Sequence, residues 1–143
     1  MRRLLLLLIG LLALAGVAVA SSGGATKAQA RWVIGDLGTL GGDESYAVAI
    51  NNHGDIVGTS QVERGSSREH AFFWHEAKMA DLKPLGGKES SAAAINDRGE
   101  IVGSADTKSD QDRGGACAAL WRRGRITVLG SSGGWAEAIN EAT

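Results

Sequence analysis

Three histidines, a single cysteine and one acidic loop are the residues in this 143-residue chain whose types could do chemistry. His70 and His75 flank the short phrase AFFW (Ala71 to Trp74) and invite a reading as zinc or copper ligands. Five positions apart on a strand they would face opposite sides, so they do not readily share one metal. His53 sits in a turn phrase whose counterpart further along the chain carries Arg98, which reads as an ordinary exposed position. Asp106, Asp110 and Asp112 form an oxygen-rich loop of the kind that can bind calcium. Their spacing does not follow the D-x-D-x-D-G order, and Lys108 and Arg113 interleave positive charge, so the loop reads as solvated. Cys117 is the only cysteine and excludes an intrachain disulfide; its apolar neighbours in ACAALW suggest a buried small hydrophobe. The chain contains no phosphate loop or His-Glu-x-x-His helix motif. No residue is assigned as catalytic, cofactor-binding or metal-binding, and no cofactor is expected.

The elements that would position these residues are repeated. GGDESYAVAINNHGDIVG (Gly41 to Gly58) returns 45 residues later as GGKESSAAAINDRGEIVG (Gly86 to Gly103), identical at 12 of 18 positions. LGSSGGWAEAIN (Leu129 to Asn140) is a third copy, 44 residues on from the second, and AFFW is echoed by AALW (Ala118 to Trp121). A period of this length is that of stacked or radial arrays, including four-stranded propeller blades. Within one period, SYAVAIN and DIVGTS read as strands joined by Asn51-Asn52-His53-Gly54, echoed by Asn96-Asp97-Arg98-Gly99. That link resembles a type I turn closed by a glycine at positive φ. Strict alternation would put Tyr46, Val48 and Ile50 on one face and Ala47 and Ala49 on the other, with Ala92, Ala94, Ala136 and Ala138 matching the small face. AFFW and MADLKPL (Met79 to Leu85) supply two further strands, the latter matched by RITVL (Arg125 to Leu129) and GDLGTL (Gly35 to Leu40). The reading is therefore all-β: four-stranded antiparallel units in a propeller-like array of about two and a half repeats, roughly ten strands in all. Recurrent residues (Asn51, Asn96, Asn140, Trp74, Trp121) read as structural. Tyr46, aligned with Ser91, and Trp135 are the aromatics that vary by copy and weakly favour binding.

Residues 1–20 stand apart. Arg2 and Arg3, the apolar run Leu4 to Ala20 and the small-x-small ending Ala18-Val19-Ala20 have the layout of a secretory signal. Ala28-Gln29-Ala30 is a second candidate cleavage site, and an uncleaved segment would act as a membrane anchor. Residues 21–31 read as a linker and 32–143 as the repeat region, with copies near 32–74, 75–121 and 122–143. Residues 21–143 hold all 16 acidic and 13 of the 15 basic residues, a net charge near −3 with the signs interspersed. Such a surface gives no reason to expect nucleic acid as a partner.

The phrases Glu69-His70-Ala71-Phe72-Phe73-Trp74, Asp81-Leu82 with Leu85-Gly86-Gly87, Ala94-Ile95-Asn96 and Ile101-Val102-Gly103, together with the DLGTLGG opening (Asp36 to Gly42), resemble the HAF-repeat family of extracellular repeat proteins. The resemblance covers nearly the whole chain from Trp32 onward; Cys117-Ala118-Ala119 departs from it by losing the His and Phe. It implies an extracellular or periplasmic protein and lends no reaction or catalytic residue. The expected role is a secreted, non-enzymatic binding or surface module of unknown ligand. The alternatives are a fragment of an extracellular enzyme, for example one acting on polysaccharide, or a truncated gene product without independent function. Self-association through an unpaired strand edge, or pairing with further repeats, is the partner expectation.

Overall fold

The computed structural model describes residues 33–108, 115–130 and 133–141. Residues 1–20 and 21–31, read from the sequence as an export signal and a linker, lie outside the described residues, as do Asp110 and Asp112. Eight strands form two separate four-stranded sheets, and no helix occurs among the described residues. The first sheet runs β1 (Ser45–Ile50), β2 (Ile56–Gln61), β3 (Glu69–His75) and β4 (Lys78–Leu82) in simple antiparallel order. The second repeats that order with β5 (Gly86–Ile95), β6 (Ile101–Thr107), β7 (Cys117–Arg122) and β8 (Arg125–Val128). The sheets break between Leu82 and Gly86, a different phase from the sequence copies divided near residue 74. GDLGTL and residues 133–141, read as strands from the sequence, carry no strand assignment, so the described residues hold eight strands rather than about ten.

Each β1–β2-type link is the expected turn. Gly54 N–H donates to Asn51 O (3.1 Å) and Gly99 N–H to Asn96 O (3.0 Å). Both glycines lie at positive φ, 84° and 71°, where a Cβ would clash with the backbone. The β3–β4 and β7–β8 links are two-residue turns with both residues at positive φ: Glu76-Ala77 in the first sheet and Arg123-Gly124 in the second. That pattern matches the right-handed strand twist.

The alternation expected along the first strand is overturned. β1 is irregular between Ala47 and Ala49, and β5 between Ala92 and Ala94. The extra residue, Val48 or Ala93, reverses the side-chain parity beyond it. Tyr46 and Ala49 therefore share a face, opposite Thr59 and Val57, while Ala47 and Ile50 share the other, opposite Gly58 and Ile56. The paired alanines do not form one small face. The same bulge explains the glycine of Ile-Val-Gly: a Cβ on Gly58 would lie 1.9 Å from Tyr46 O, and one on Gly103 2.0 Å from Ser91 O.

The core lies between the sheets. Val57, Ala71, Phe73 and Leu82 of the first sheet pack against Ala92, Ile95, Ile101, Ala105, Ala119, Trp121 and Ile126 of the second. Small residues on β6 and β7 let the sheets approach closely. A buried hydrogen bond from Ala71 N–H to Ser90 Oγ (3.0 Å) pins them together. Cys117 is buried, as its neighbours suggested, on the β7 face that carries Ala119 and Trp121. Removing such apolar surface from water contributes roughly 25 cal/mol per Å².

Candidate functional site

The polar architecture begins at the hairpin turns. Asn51 Oδ1 accepts the N–H groups of His53 (3.0 Å) and Asp55 (2.9 Å), and Asn51 Nδ2 donates to Asp55 Oδ2 (2.9 Å). Asn96 repeats this with Arg98 N–H (3.1 Å), Glu100 N–H (2.9 Å) and Glu100 Oε2 (2.7 Å). The turns are also linked to one another. Asn51 Nδ2 reaches Asn96 O (3.2 Å), and Asn96 Nδ2 reaches Asn140 O (3.3 Å). Beside this row, Asn52 N–H donates to Asp97 Oδ1 (2.8 Å) and Asp97 N–H to Glu141 Oε1 (2.6 Å). Asn51 and Asn96 hold their turns through their side chains, Asn140 takes part through its backbone carbonyl, and the three form a directional ladder.

The acid of each turn is clamped by a base at the end of the third strand. His75 Nδ1 is hydrogen-bonded to Asp55 Oδ1, and Arg122 Nε lies 2.9 Å from Glu100 Oε1. Arg98 adds a second contact to Glu100 at 3.4 Å. Burial opposes ionisation of Asp55, but hydrogen bonds from Asn51 and His75 and the nearby charge of His75 and His53 outweigh it and hold the carboxyl below its ordinary range. Glu100 is held low chiefly by the Asn96 hydrogen bond, against burial, with help from Arg98, Arg122 and Arg123. Asp97 is held low by its two hydrogen bonds from Asn52, against burial, with His53 adding to them. Sequence reasoning missed these clamps. The signal was available: Asp55 aligns with Glu100 and His75 with Arg122, so acid and base are kept together in both copies.

His70 and His75 fall on opposite faces of β3 and engage different carboxylates. His70 Nδ1 lies 2.9 Å from Asp81 Oδ1 on the neighbouring strand. The His75 ring stacks on Phe73, with centroids 6.0 Å apart. His53 is exposed and contributes its backbone N–H to the turn. Asp106 caps the Glu89 N–H (3.2 Å) and lines a polar recess of about 120 Å³ with Glu69 and Glu89. Tyr46 is exposed, and its hydroxyl donates to Glu44 (2.7 Å), whose hydrogen bond and charge raise its pKa. Trp135 is exposed and donates to Glu137 (2.9 Å). The two variable aromatics therefore lie apart from the clamps.

A groove of about 500 Å³ lies between the sheets, beside the β3–β4 and β7–β8 strands. Its apolar lining is Phe73, Leu82, Pro84, Ile101, Trp121 and Ile126. Its polar lining is Asp81, Lys83, Arg122 and Arg123. Asp81 is engaged by His70 and Arg122 by Glu100, whereas Lys83 and Arg123 make no salt bridge among the described residues. The arrangement offers an apolar bed with two cations ready for an acceptor or an anion. The described lining brings the carboxylate of Asp81 to the groove.

Residues 42–121 match the model of a family described as protein of unknown function, DUF3466. No curated protein and no solved structure matches the chain.

Proposed function

The chain belongs to the DUF3466 family, and we propose that it is an exported, non-enzymatic binding module whose ligand seats in the groove between its two sheets. The observation that carries this reading is the combination of an apolar bed (Phe73, Leu82, Ile101, Trp121, Ile126) with the cations Lys83 and Arg123, neither of which is in a salt bridge among the described residues. Ligand sites have this composition: mostly apolar walls and a few polar groups that fix orientation.

In this reading each sheet is one propeller-like blade of HAF type, and residues 133–141 begin the next. The recurrence of the same turn bonds 45 residues apart supports it. Residues 1–20 are removed on export, which leaves the module extracellular or periplasmic. Ligand-observed NMR against a small-fragment library tests the binding assignment. Anionic fragments with an apolar body are expected to bind, and Lys83→Glu with Arg123→Glu should abolish their signal while leaving neutral fragments largely unaffected. A library without hits, or hits indifferent to both substitutions, would overturn it.

A further inference from the structure

We propose that the outer face of the first sheet, beside the Asn51 turn, docks a second copy of this chain seated head to tail. The molecule itself provides the comparison. Ile95, Ile101 and Trp121 on the second sheet are covered by the first sheet and are only 9%, 3% and 6% exposed. Their counterparts on the first sheet are Ile50, Ile56 and Trp74, which occupy the same places in the strand register. Ile50 is 65% exposed, and Ile56 and Trp74 are half-buried. The same apolar positions are thus sealed by a sheet in one half of the protein and less covered in the other, most of all at Ile50.

The turn ladder says which way the cover must face. Each turn donates an asparagine Nδ2 to the backbone carbonyl of the following turn, Asn51 to Asn96 and Asn96 to Asn140. Each also donates the next residue's N–H to a side-chain oxygen of the following turn, Asp97 Oδ1 or Glu141 Oε1. A second copy that continues the row places its Asn140 Nδ2 on Asn51 O and its Glu141 N–H on Asn52 Oδ1. Its residues 133–141, which carry Trp135 and Ile139, then lie over Ile50. The contact uses a sheet face and a row of turns, and it is heterologous: the two surfaces that meet differ, so each added copy presents a fresh acceptor end.

Sedimentation of the full chain over a micromolar to millimolar series, for wild type and Ile50→Lys, tests this. Wild type is expected to show a mean mass that rises with concentration beyond one chain. Ile50→Lys should weaken association by about tenfold or more, because a charge replaces a side chain buried on docking. Ile50 is exposed in the single chain, so the variant should keep wild-type circular dichroism and unfolding. Since the variant retains its Asn140 end, adding it to wild type should cap assemblies and lower their mean mass. A wild type that stays at one chain throughout, association unchanged in Ile50→Lys, or a variant that fails to cap would each overturn the proposal.

Discussion

The two sheets share strand order, turn geometry and an inner-strand bulge, yet their side chains diverge according to what lies against each face. The first sheet places His70 on Asp81, where the second has Cys117 beside Val128; it places Phe72 where the second has Ala119, and Ser60 where the second has Ala105. On the second sheet that face meets another sheet at close range, so small apolar residues are required. On the first sheet it meets the loop before β1, where Ser60 Oγ accepts Leu40 N–H (2.9 Å) and bulkier or polar groups fit. The turns behave oppositely. Asn, an acid four residues on, and Gly recur in both sheets because together they satisfy the turn backbone. The clamp keeps its charge pattern but changes its chemistry, from an aspartate–histidine pair to a glutamate–arginine pair.

If this contrast is sound, the largest effect should come from truncating equivalent tryptophans. Trp121→Ala removes a core side chain and is expected to cost about 3–5 kcal/mol in urea unfolding. Trp74→Ala, at the same strand position on a half-buried face, should cost about 1–2 kcal/mol. Equal costs would mean that the two faces are covered alike. A smaller difference is expected for the turn asparagines. Asn96 is 3% exposed, and Asn96→Ala strands the buried N–H of Glu100 and the part-buried N–H of Arg98, at a cost of about 2–3 kcal/mol. Asn51→Ala, in a more open turn, should cost about 1–2 kcal/mol. A harmless Asn96→Ala would break the claim that the turns are the invariant part.

Acid titration should give the gentlest signal and the one in which the sheets agree. Asp55, Asp97 and Glu100 are all held below their ordinary values of 3.8, 3.8 and 4.5 in the folded chain. As pH falls, the unfolded state therefore binds protons first, and the stability these groups contribute above their ordinary values is lost. Tm should be nearly level from pH 7 to about 5 and decline below about pH 4. A Tm that holds to pH 2.5 would show that these carboxylates contribute nothing to folding.

The hairpin turns were legible in the sequence because Asn-x-x-Gly closes a turn through contacts within four residues. The four strands of each sheet were legible for a related reason: short apolar phrases between turn residues have few alternatives. The bulges were hidden. Val48 and Ala93 look like ordinary strand residues, and an extra residue in a strand leaves no compositional trace, so the parity assigned to the alanines failed beyond it. The groove was equally invisible, since Lys83 and Arg123 lie 40 positions apart and meet through packing between sheets. The burial of Trp121 against the partial exposure of Trp74 depends on which sheet has a neighbour, which two identical residues at equivalent positions do not reveal.

The ladder of asparagines also distributes local motion unevenly. The Asn96 turn is held from both sides, by Asn51 and through Asn140, whereas the Asn51 turn has its described rung on one side only. Opening the middle turn breaks two rungs, so its amides should exchange with solvent more slowly than those of its neighbour. Gly99 belongs to that turn and lines the groove, and Glu100 just beyond it anchors Arg122 on the groove wall. The wall that would meet a ligand thus rests on a turn held from both sides, and a ligand arriving there has less chain entropy left to quench.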